Sequence, residues 1–91
     1  MTTQEKIVTI CDELKYFLQT KNKLYGDSAL QPITIFSKLN TSNSLYVRID
    51  DKINRIKNCN ELRKNDVVDL LGYLVLLCID KDWLQFSDLI D

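Results

Sequence analysis

Polar and apolar positions alternate along this chain with the period of an α-helix almost throughout. Ile7, Ile10, Cys11, Leu14, Phe17 and Leu18 recur at i, i+3, i+4, i+7, i+10 and i+11, with Asp12, Glu13, Lys15 and Gln19 on the opposite face. That spacing predicts an amphipathic helix from a Thr2 or Thr3 cap, with Glu5 in the first turn, to about Leu24 or Tyr25. Lys21 and Lys23 fall near its C-terminus, where cations are favoured, and Gly26 supplies a stop in the left-handed region. A second pattern places Leu45, Ile49, Ile53 and Ile56 along one seam, with Val47 on its flank and Ser42 or Ser44 as the cap.

The most apolar stretch runs from Asn65 to Asp80. Asn65 is a good N-cap, and Asp66 in the next turn suits the positive end of the helix dipole. Val67, Val68, Leu70, Leu71, Leu74, Val75, Leu77 and Cys78 cover most of the circumference. A helix of that kind is expected to be nearly surrounded by protein. Asp66, Asp69, Gly72 and Tyr73 form its one polar or small stripe, and carboxylates there need partners. Two shorter segments complete the pattern. Asp27 or Ser28 can cap a short helix with Pro32 in its first turn, ending near Lys38. Trp83, Phe86 and Ile90 fit one further helical face, closing the bundle or forming part of a subunit interface. The expected fold is all-α: a small bundle of about four helices around a buried central helix near 66–80, expected to be oligomeric.

Composition narrows this further. Ninety-one residues make one domain, 1–91, and two glycines with one proline suit helices better than a turn-rich β fold. A net charge of −1 argues against binding polymeric nucleic acid through phosphate contacts. There is no histidine, and Cys11, Cys59 and Cys78 are too scattered for a typical zinc site. Two of the three lie on apolar faces, as reduced cysteines in a cytoplasmic protein would. The polar start, Met-Thr-Thr-Gln-Glu-Lys, lacks signal-peptide character. The run from Val67 to Ile79 is interrupted by Asp69 and too short to span a bilayer, so no membrane association is expected.

Candidate chemistry lies on two polar stripes. The second and third patterned helices are joined by a short connection and must pack antiparallel. Arg48, Lys52 and Arg55 then face Asp66 and Asp69, with Asp50, Asp51 and Tyr73 close by. An interhelical salt-bridge network accounts for such stripes. So does a charged pocket near the Tyr25-Gly26-Asp27-Ser28 loop. There, arginine would hold phosphate oxygens bidentately and aspartate would accept from a base or ribose hydroxyl. The ligand-binding candidates are Tyr25, Gly26, Asp27, Ser28, Lys38, Arg48, Asp51, Lys52, Arg55, Asp69 and Tyr73.

Tyr25-Gly26-Asp27-Ser28, Phe36-Ser37-Lys38, Arg48-Ile49-Asp50-Asp51-Lys52 with Arg55-Ile56, and Asp66 through Leu74 together resemble the nucleotide modification associated domain 1 family, small proteins common in bacteriophages. The resemblance covers roughly Leu24 to Ile79. It implies phage origin, residence in the host cytoplasm and an association with nucleotide metabolism, without a defined reaction. A weaker resemblance, Asp66-x-x-Asp69-Leu-Leu-Gly-Tyr-Leu, is to the Glu-x-x-Asp helix of the all-α NTP pyrophosphohydrolases, the MazG and dimeric dUTPase group. That likeness implies Mg²⁺ held by Asp50, Asp51, Asp66 and Asp69. Arg48 and Lys52, however, would compete for the same carboxylates.

The leading expectation is therefore a nucleotide-binding homo-oligomer that needs no cofactor and leans away from catalysis. It would sequester a host antiviral signalling nucleotide of the cyclic dinucleotide or cyclic ADP-ribose type. The alternatives are an Mg²⁺-dependent pyrophosphohydrolase acting on dNTPs and a protein inhibitor of a host enzyme.

Overall fold

The computed structural model describes residues 1–31 and 40–91. Among these the chain forms three α-helices and no strand: α1 (Thr3–Tyr25), α2 (Thr41–Asn58) and α3 (Lys64–Asp80). The short helix expected from Pro32 to about Lys38 lies outside the described residues, as do Phe36, Ser37 and Lys38.

Local chemistry accounts for most of the helix ends. Thr2 caps α1 with a reciprocal box: its hydroxyl accepts from Glu5 N, and the Glu5 carboxylate accepts from Thr2 N, both at 3.1 Å. At the other end Gly26 takes φ 65°, which a side chain would resist, and its N–H donates to Asn22 O at 2.7 Å. Its ψ of −156° lies outside the left-handed helical well, so this stop differs from the one expected.

Helix α2 starts earlier than expected. Its cap is Asn40, whose side chain accepts from Asn43 N at 2.8 Å, rather than Ser42 or Ser44. Ser42 instead donates to Asp80 Oδ2 at 2.6 Å, tying the start of α2 to the end of α3. Helix α3 also starts earlier, at Lys64. Arg63 occupies the cap position with no side-chain cap bond, so Asn65 is already inside the helix.

Helices α2 and α3 form an antiparallel hairpin, and α1 rests on α3 over a much smaller area. The hairpin core centres on Leu45, which is fully buried, with Ile49 and Ile56 half-buried beside it. Ile53, expected on the same seam, is exposed. Gly72 is the other buried point of α3, and it lies where α1 crosses. A Cβ there would sit 3.1 Å from Leu18 Cδ2.

Two expectations about packing are corrected. Helix α3 is not surrounded by the described residues: Leu71, Leu74 and Ile79 are exposed. An apolar circumference demands cover, and one hairpin partner with one crossing helix covers only part of it. The Trp83 segment is not a fourth α-helix. The chain turns at Asp82 (φ 57°), Trp83 N donates back to Cys78 O at 2.8 Å, and only the 3₁₀ turn Ser87–Leu89 follows. Trp83, Phe86 and Ile90 are exposed. A segment this short gains too few hydrogen bonds to offset helix nucleation unless something packs on it.

No helix among the described residues is long and apolar enough to cross a membrane.

Candidate functional site

The hairpin register aligns the two polar stripes. Lys52 Nζ lies 3.1 Å from Asp69 Oδ2. One turn back along α2 and one turn forward along α3, Arg48 sits over the Tyr73 ring, 5.9 Å from its centroid. These are successive rungs of one antiparallel ladder.

The next rung in the other direction would join Arg55 to Asp66, as the sequence pattern suggests. It does not form. Asp66 is held from its own helix start, where Arg63 Nε donates to Oδ2 at 3.1 Å and Arg63 Nη2 lies at the same distance. Arg63 precedes Asp66 by three residues and reaches it across the first turn, whereas Arg55 remains exposed. Asp66 is only 1% exposed, and its Oδ1 is buried with no hydrogen-bond partner among the described residues.

The four aspartates of the metal alternative do not gather. Asp50 and Asp51 are exposed on α2, while Asp66 is buried and Asp69 is taken by Lys52. Among the described residues, no group of three or more His, Cys, Asp or Glu side chains is placed to hold a metal ion. Successive residues on a helix point about 100° apart, so the adjacent Asp50 and Asp51 cannot both turn toward α3.

A larger feature lies on the other side of the Arg48–Tyr73 rung. An open groove of about 1090 Å³ runs between α1 and the hairpin. Leu14 and Leu18 of α1 and Leu76 and Ile79 of α3 supply apolar lining, and Arg48 and Tyr73 enter from the hairpin. The Tyr25–Leu30 loop closes one end. Among the described residues the groove is lined by four cations, Lys15, Lys21, Lys23 and Arg48, and by one carboxylate, Asp27.

That carboxylate is already engaged. Asn22 Nδ2 donates to Asp27 Oδ1 at 2.7 Å and to Gly26 O at 3.2 Å, while Asp27 O accepts from Leu30 N and Gln31 N. Asp27 thus shapes the loop, and the groove keeps a positive balance. Lys21 is held between two aromatic faces of its own helix, 5.2 Å from the Phe17 centroid and 5.9 Å from that of Tyr25. A cation over a ring is positioned without being neutralised.

Of the ligand-binding candidates read from the sequence, Tyr25, Gly26, Asp27, Ser28, Arg48 and Tyr73 line this groove together. Lys52 and Asp69 pair with each other beside it. Asp51 and Arg55 point from exposed positions of α2 and are not part of its lining. Lys38 lies outside the described residues. The cations of α1 were missed, because Lys15 belongs to the polar face of the pattern and Lys21 and Lys23 read as ordinary helix-end charges. The signal available was Phe17-x-x-x-Lys21-x-x-x-Tyr25, a lysine with an aromatic one turn away on either side. Compared with protein families, curated proteins and solved structures, the chain matches none.

Proposed function

We propose that this protein binds a nucleotide in the groove between α1 and the α2–α3 hairpin, and holds it without turning it over. The observation that carries this reading is the lining: among the described residues, four cations against a single carboxylate that is already bonded to Asn22, with Tyr25 and Tyr73 on the same walls. A ligand matched to that lining is anionic and carries a planar ring. Nucleotides combine the two, with phosphate suiting Arg48 and the α1 lysines and the base suiting a tyrosine face.

The groove is open to solvent, so a second subunit is part of the proposal, enclosing the ligand in a homo-oligomer. With the phage-family resemblance of residues 24–79, the corresponding role is capture of a host signalling nucleotide, cyclic dinucleotide or cyclic ADP-ribose in type, in the host cytoplasm. Lys52 and Asp69 then serve to fasten the hairpin beside the site. No observation favours the hydrolase alternative, whose four aspartates are dispersed.

The test is a depletion assay. The purified protein is incubated with dNTPs, NTPs and cyclic nucleotides, with and without Mg²⁺, and the solution is separated by HPLC before and after heat denaturation. One nucleotide should disappear from solution and return intact on heating. Conversion of a triphosphate to a monophosphate only with Mg²⁺ would overturn the binding reading in favour of catalysis. No depletion at all would leave the groove without a nucleotide.

A further inference from the structure

The groove takes Leu14 and Lys21 of α1 into its lining, yet the apolar face of the helix runs well beyond it. Ile7, Ile10, Leu14, Phe17, Lys21 and Leu24 follow a strict alternation of three and four residues, the a and d positions of a coiled-coil seam. Leu18, which meets Gly72, lies just beside that seam. Most of the seam is bare: Ile7 is 55% exposed, Ile10 60% and Leu24 72%. A 23-residue helix spans about 34 Å, and the hairpin supports α1 over only a small part of that length.

The exposed area calls for a cover. A folded monomer of this mass, 10.6 kDa, exposes about 5,500 Å² by the surface–mass relation, yet the chain exposes 7796 Å². The excess is well above the roughly 800 Å² that each partner contributes to a standard protein interface.

We infer that α1 is a homotypic interface in which the α1 seams of two copies pack antiparallel across a two-fold axis near Lys15 and Tyr16. Charge and register both select this occupant and this direction. The first half of α1 carries Glu5, Asp12 and Glu13 against one cation, Lys6, while the second half carries Lys15, Lys21 and Lys23 and no carboxylate. Antiparallel packing lays each acidic half on a basic half. Parallel packing would instead set Lys21 against its own copy in the seam.

Antiparallel registration about that axis also matches a positions to d positions in every layer: Ile7 with Leu24, Ile10 with Lys21, and Leu14 with Phe17. Lys21 then lies against Ile10 of the other copy, one turn from its Glu13, with the ammonium already steered by Phe17 and Tyr25. The contact is isologous and closes on itself. It specifies the second copy invoked for the groove but rests on none of the nucleotide chemistry.

Sedimentation equilibrium of the full chain tests the inference, with circular dichroism as the folding control. An even number of chains per particle is expected. Ile10→Lys, at a position already exposed in the single chain, sets a second ammonium against Lys21 of the other copy and should weaken self-association about 100-fold while helicity is kept. Direction is read by oxidising variants in a background with Cys11, Cys59 and Cys78 changed to serine. Ile7→Cys combined with Leu24→Cys should give a disulfide-linked dimer on a non-reducing gel, and Ile7→Cys alone should not. A monomer at all concentrations, an odd number of chains, association unaffected by Ile10→Lys, or ready cross-linking of Ile7→Cys alone would each overturn the proposal. Because these readouts contain no ligand, failure of nucleotide depletion would leave them unchanged.

Discussion

Leu18 of α1 packs so closely on Gly72 of α3 that a single added carbon at Gly72 would stand 3.1 Å from the leucine Cδ2. This contact sets the crossing point of α1 on the hairpin and so the width of the groove. A Gly72→Ala change gains about 1 kcal/mol in helix propensity, and the end of the Leu18 side chain must yield by a few tenths of an ångström. The expected net effect in urea unfolding is therefore within about 1 kcal/mol of zero. Gly72→Leu adds volume that Leu18 cannot yield to. It should destabilise by about 2 kcal/mol or more, lift α1 from the hairpin and abolish nucleotide depletion while leaving the α2–α3 hairpin helical.

The two charge pairs of α3 should differ in weight. Lys52 and Asp69 are partly solvated, with side chains 15% and 34% exposed, so Asp69→Asn should cost about 0.5 kcal/mol, and less in high salt. Arg63→Ala strands the Asp66 carboxylate, which is buried and already has one oxygen without a partner. Arg63 is itself more than half exposed, which weakens the pair, and about 2 kcal/mol is expected. Equal losses for the two variants in parallel urea titrations would show that the burial of Asp66 carries no energetic consequence.

The capping box of α1 gives a pH signature. The Thr2 backbone N–H, and then the Thr2 hydroxyl, hold the Glu5 carboxyl below its ordinary value of 4.5. A carboxyl depressed in the folded state contributes stability that is fully present above its unfolded value. That contribution is lost as pH falls through the lower folded value. The first turn of α1 should accordingly fray only below about pH 4.5 in the native chain. Thr2→Ala keeps the backbone N–H and removes the hydroxyl, so NMR titration of the Glu5 side chain should move only part of the way toward the ordinary carboxylate value, and amide exchange in that turn should already be faster at neutral pH.

Arg48 and Arg55 lie on the same helix and carry the same charge, yet only Arg48 lines the groove. In the depletion assay Arg48→Ala should weaken retention of the nucleotide by about 10-fold or more, the cost of one charge-assisted contact. Arg55→Ala should leave retention unchanged. Equal effects would move the site to the outer face of α2. Tyr73→Phe should retain binding if the ring stacks, and Tyr73→Ala should lose it.

The sequence by itself determined the three helices and much of their chemistry. The 3.6-residue periods of Ile7–Leu18, Leu45–Ile56 and Val67–Cys78, a threonine cap with Glu5 in the first turn and the end of α1 at Gly26 are local, carried by residues within a turn or two of one another. The antiparallel hairpin and the facing of its basic and acidic stripes were also legible, because a short connection leaves two helices little choice of neighbour; the Lys52–Asp69 pairing was not. Only the tertiary structure decided the rest. Asp66 turned to Arg63 rather than Arg55, because a partner in the same helical turn is reached at less conformational cost than one across an interface. The lysines of α1 came to line the groove only once Leu18 settled on Gly72, a contact between residues far apart in the chain that no local period encodes. The apolar tail from Trp83 to Ile90 stayed out of an α-helix because the described residues leave it exposed, without the packing that would offset helix nucleation.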